Sequence, residues 1–167
     1  MLGLVLVVRR RRRLGLAIAL LAAVGCGDDA MGDPPADDAD ATMFVACPDT
    51  IPDFVVGLSA AGTKGIQAVL RDASDFPARK YSNEWQLELV SADGDALDGV
   101  EVTHVEAFMP VHGHYGRPPA SFEALAELGQ VQADIHFMMR GPWEVRIEAS
   151  SPSTGDDLIV FDVCVEE

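Results

Sequence analysis

Positive charge is what this sequence lacks most. Of its 12 Lys and Arg residues, five form a single run, Arg9 to Arg13, and 27 Asp and Glu stand against them. With that run set aside as part of a leader, seven basic residues face 27 acidic ones, a balance of −20. Phosphate backbones and anionic lipid surfaces attract the opposite sign, so nucleic acid is excluded as a partner of the folded part. A catalytic constellation is missing as well. Ser59 and Ser121 sit in no nucleophile elbow, and the scattered carboxylates have no metallohydrolase spacing. Gly57 to Gly65 lacks the Lys-Ser/Thr ending of a phosphate loop. The sequence therefore reads as non-enzymatic.

No apolar run is long enough to span a bilayer. Leu14 to Gly25, rich in Leu and Ala, has twelve residues. As a helix they reach roughly 18 Å, against about 30 Å of hydrocarbon. A short apolar core behind an arginine run is the pattern of a signal peptide, here residues 1–25. It ends in Ala23-Val-Gly-Cys26, which resembles a bacterial lipobox, with Ala23 where Leu is usual. The expectation is lipidation at Cys26, with an ordinary cleaved signal as the other reading. A diacylated cysteine supplies the two chains that stable anchoring needs. Residues 26–43 then form an acidic tether. Six aspartates and Pro34-Pro35 cannot bury a core, and they lack the order of a calcium loop. The expected location is the cell envelope, on the periplasmic or outer-membrane side, with the membrane and another envelope protein as partners.

Lipidation of Cys26 leaves Cys47 and Cys164, near the two ends of the remaining domain, 44–167. In an oxidising compartment these two can pair, with free thiols or a metal pair as alternatives. Such a bond closes a loop of about 117 residues and contributes at most about 4–5 kcal/mol.

From Phe44 the composition turns globular, and the hydrophobic period is two. Trp85, Leu87 and Leu89 alternate with polar residues, as do Val100 and Val102, and Trp143, Val145 and Ile147. Ile159, Phe161, Val163 and Val165 do the same, and Phe54 to Leu58 is a short apolar run. These patterns predict strands with one buried face, separated by turns such as Ala92-Asp-Gly-Asp95 and Gly141-Pro142. Ser121 to Gly129 fits either a helical turn or two, or a strand followed by a turn. About seven strands without intervening helices argue for an all-β, antiparallel β-sandwich. Trp85 and Trp143 are its expected core anchors.

Chemistry is concentrated in Phe108-Met-Pro-Val-His-Gly-His-Tyr-Gly116. If the chain stays extended there, His112 and His114 point to one side. Met109, His112 and His114, with Met138 or His136 as further candidates, offer thioether and imidazole groups. That set suits copper, above all Cu(I), where thiolates do not compete. The competing reading is a structural loop, with Gly113 at positive φ and Met109 in the core. His104 lies mid-strand and is a poorer ligand candidate.

Trp85-Gln-Leu-Glu-Leu-Val90, Asp93 to Val102, Met109-Pro-Val-His-Gly-His114 and Phe137 to Ile147 together resemble the YtkA-like/FixH-like family. Tyr115 and Met139-Arg140 depart from its pattern. The resemblance spans roughly Phe54 to the C-terminus. It implies an immunoglobulin-like sandwich in membrane-attached or exported proteins. The FixH branch of that family is associated with assembly of a copper-containing oxidase.

Overall fold

The computed structural model describes residues 45–166. The signal segment, Cys26 and the acidic tether lie outside the described residues. Nine strands follow one another: β1 (Ser59–Ala61), β2 (Ile66–Ala73), β3 (Tyr81–Ser91), β4 (Glu101–Met109), β5 (His114–Tyr115), β6 (Ser121–Ala124), β7 (Gln130–Phe137), β8 (Gly141–Ser151) and β9 (Gly155–Val165). They build two antiparallel sheets, β1-β2-β3-β7-β6 and β5-β4-β8-β9, packed as a β-sandwich. Nine strands replace the expected seven because β1, β5 and β6 have only two to four residues each. Such lengths are too short to show a period.

The long strands form where the sequence alternates. Along β8, Trp143, Val145, Ile147 and Ala149 are buried, and along β9 so are Ile159, Phe161, Val163 and Val165. The two strands pair in unbroken register from Gly141↔Val165 to Ser151↔Gly155. In β3, Trp85, Leu87 and Leu89 do the same for the other sheet. Phe137 links the two tryptophans, its ring centroid 6.3 Å from Trp85 and 5.4 Å from Trp143. Burying one indole contributes roughly 4–6 kcal/mol before the entropy of ordering it. The indole N–H of Trp143 donates to the Met139 carbonyl at 3.0 Å.

Two expectations need correction. Phe54 to Leu58 is not a strand: Phe54 is buried against Trp85, but the chain turns at Gly57 and leaves Val55 and Val56 exposed. In β4 the parity read from Val100 and Val102 does not continue. A register shift between Val102 and His104 passes the buried face to Val105, Ala107 and Met109. A bulge of this kind adds one residue and reverses which side chains face inward. The 121–129 stretch resolves as strand β6 and a turn ending at Gly129, whose φ is 73°.

Cys47 and Cys164 form a disulfide, with their Cα atoms 5.8 Å apart. It fastens the segment before β1 to β9. At the opposite end of β9, Asp157 is buried, and its carboxylate accepts the backbone N–H groups of Lys64 at 2.9 Å and Ile66 at 3.1 Å. This joins the β1–β2 turn of one sheet to the edge strand of the other. Burial pushes this carboxyl up, but the amides of Ile66, Lys64, Leu158 and Thr63 outweigh it and hold it below its usual range.

Candidate functional site

β4 and β5 are joined by a tight hairpin whose pairs are Phe108↔Tyr115 and Met109↔His114. The Met109 carbonyl accepts from Gly113 at 2.8 Å and from His112 at 3.3 Å, which folds residues 110–113 into a compact turn. Gly113 takes φ of 65°, a left-handed conformation that costs a residue with a Cβ. The structural element of the loop is thus present as expected.

The turn decides where the imidazoles go. His112 lies in it rather than on an extended strand, so the two rings do not converge by strand alternation. They converge because the chain doubles back. Their planes are 6° apart and their centroids 5.8 Å apart. His112 is exposed and His114 is half-buried. As the cross-strand partner of Met109, His114 points to the interior side and meets the Trp143 indole edge-on, at 5.6 Å between centroids. Its Nδ1 is buried and has no hydrogen-bond partner. A desolvated ring nitrogen without a partner costs free energy unless something occupies it.

Met109 is fully buried in the core cluster. Its methyl group lies so close to Gly141 that a Cβ there would meet it at 3.0 Å. The thioether therefore has a packing role whatever else it does. Met138 follows β7 and is 45 % exposed. His136 alternates with the buried residues of β7 and belongs to its outer side. His136 makes no ring contact with His112 or His114 among the described residues. His104 is exposed and approaches Glu106 at 3.4 Å.

Gly116 closes the hairpin. Its N–H donates to the Ala107 carbonyl at 2.8 Å, and a Cβ on it would overlap the backbone carbonyl of His136. The two sheets touch here, backbone against backbone. On the outer side of the second sheet, Arg146 binds Glu144 and Glu106 and lies 4.2 Å from the Phe108 ring centre. Phe108 in turn packs on Tyr115 at 5.1 Å. Burial draws the Arg146 guanidinium down, but the bonds to Glu144 and Glu106 prevail and raise it. This cluster braces the hairpin that carries the histidines.

The donor set fits a soft ion in part. Two imidazole nitrogens each about 2.0–2.1 Å from a shared ion place their ring centres roughly 6 Å apart or less. The observed 5.8 Å lies within that limit. Among the described residues, no three His, Cys, Asp or Glu side chains gather as a metal-holding group.

Compared with family models, with curated proteins and with solved structures, the chain matches none of them. Asp157 is a feature that sequence reading missed. Asp156-Asp157 follows Gly155 and reads as turn chemistry, although the odd parity of Ile159, Phe161, Val163 and Val165, carried back two residues, marks Asp157 as the carboxylate that turns inward.

Proposed function

We propose that the chain is an exported, lipid-anchored, non-enzymatic β-sandwich protein that serves as an interaction module of the cell envelope. The observation that carries this reading is the Cys47–Cys164 disulfide, which belongs to an oxidising compartment. The arginine run, short apolar core and Ala23-Val-Gly-Cys26 supply the route and the anchor. The YtkA-like/FixH-like resemblance, with its immunoglobulin-like fold, supports the same setting. The non-enzymatic element rests on the sequence, which places no nucleophile beside a base. Mass spectrometry of the membrane fraction tests the anchor: a diacylated Cys26 as first residue is expected. An unmodified N-terminus downstream of Cys26 would overturn it.

A second reading is favoured by one specific observation, the unpartnered Nδ1 of His114 beside a second, parallel imidazole. On it the hairpin tip is a copper-handling site. His112 and His114 would hold the ion, with Met109 as a thioether donor and Met138 as an outer candidate. Bound copper would supply soft Lewis-acid and one-electron chemistry. The protein's part is to orient His114 against Trp143 and to keep water from its inner nitrogen.

A further inference from the structure

On the side of the sandwich where β4 and β6 approach each other, part of the β4 edge is unpaired. β5 covers only the last two residues of β4, and the Gly116 bond to Ala107 completes that pairing. Backbone groups of an antiparallel strand alternate between its two neighbours. Ala107 presents its carbonyl to the β5 side, so Val105, two residues earlier, faces that side as well. No strand pairs with Val105 there among the described residues. β6, the edge of the opposite sheet, is exposed at all four of its residues.

Two cavities border this edge in series. One, of about 380 Å³, lies between His104–Ala107 and the crossover from Tyr115 to Ala120. The other, of about 390 Å³, lies between Val100–Val102 and the stretch from Phe122 to Val131. Large apolar side chains remain exposed beside them: Tyr115 at 50 %, Phe122 at 39 % and Leu128 at 54 %. An unpaired strand edge next to apolar cavities is the geometry that accepts an added strand.

Charge selects the occupant. Glu101, Glu106 and Glu127 stand around the opening, against Arg117. Glu106 is neutralised by Arg146, but Glu101 and Glu127 form no ion pair among the described residues. A second copy would bring the same carboxylates and the same net charge of −15, which repels. We infer that the free edge of β4 beside β6 binds an extended, cationic segment of another protein, added as a strand along residues 103–106. Its apolar side chains enter the two cavities, and its alternate Lys or Arg side chains meet the carboxylates. This rests on the reading of the domain as an interaction module.

The probe is a fluorescent eight-residue peptide of alternating Val and Lys, titrated against the full chain in non-ionic detergent. Saturable one-to-one binding is expected, with slowed hydrogen exchange at the Val105 amide. The same peptide with Glu for Lys should bind at least tenfold more weakly. So should the Val-Lys peptide to a Glu101→Lys, Glu127→Lys variant, both positions being exposed. N-methylation of the peptide amides that would face β4 should abolish binding, and this arm needs no change in the protein. Equal affinity for the two peptides, protection elsewhere, or no saturation overturns the inference. Acylation of Cys26 is measured separately. Where it is found and the peptide fails, the groove falls alone; where it is absent and the peptide binds, the groove stands without the envelope setting.

Discussion

The rings of His112 and His114 lie 5.8 Å apart with their planes only 6° from parallel, although the two residues occupy different backbone environments. One is in the turn and the other begins β5. What aligns them is the left-handed Gly113 between them. The inner ring has a buried nitrogen, and the outer ring is open to solvent.

That arrangement makes the copper reading directly testable. Titration with Cu(I) should show a single site tighter than micromolar. The site should be lost in His112→Ala with His114→Ala, and weakened at least tenfold in His114→Ala alone, because that residue holds the unpartnered nitrogen. Wild-type affinity no better than micromolar ends the reading.

Glycines near the loop should separate two kinds of cost. Gly113→Ala meets no atom within 4 Å but must hold φ of 65°, so it should lose roughly 1–2 kcal/mol. Gly116→Ala drives a methyl group into the His136 carbonyl, and should lose about 3 kcal/mol or more as the sheets are forced apart. Urea unfolding of both variants checks the order. Equal losses would show that the sheets yield freely at this point.

Asp157 should set part of the acid sensitivity. Its folded carboxyl is held below the usual range, so the unfolded chain binds the proton first as pH falls. The stability it contributes is present above roughly pH 4 and declines as pH drops toward the folded value. Asp157→Ala should cost about 1–3 kcal/mol for each buried amide left without an acceptor. Asp157→Asn should flatten the stability profile below roughly pH 4 relative to wild type. An unchanged profile in Asp157→Asn would remove this carboxylate from the account.

The disulfide should matter for stability as well as for location. Replacing Cys47 and Cys164 by Ser should cost about 2–5 kcal/mol. Denaturation with and without reductant measures it. A midpoint indifferent to reductant would show that the two thiols are unpaired.

Much of the sandwich was legible because a strand with one buried face writes its own period. Trp143-Glu-Val-Arg-Ile147 needs only local alternation to be read, and β8 obeys it over its whole length and β9 from Asp156 onward. β4 was legible only in part. Its bulge is imposed by pairing with β8, and no local signal distinguishes Val102 from Val105. Of the site, the residue types were visible, whereas the choice between an extended chain and a tight turn was left open, because it depends on pairing between β4 and β5.

The sequence by itself determined the all-β class, the anchors Trp85 and Trp143, the Cys47–Cys164 pairing as a possibility, and the chemistry of the His112–His114 segment. Each of these depends on residue type or on neighbours a few positions away. Only the tertiary structure decided that Met109 is core, that His114 turns a bare nitrogen inward, that Asp157 joins the two sheets, and that β4 keeps a free edge. Those outcomes depend on which strands become neighbours, and pairing across the sheets is set by the packing of the whole chain.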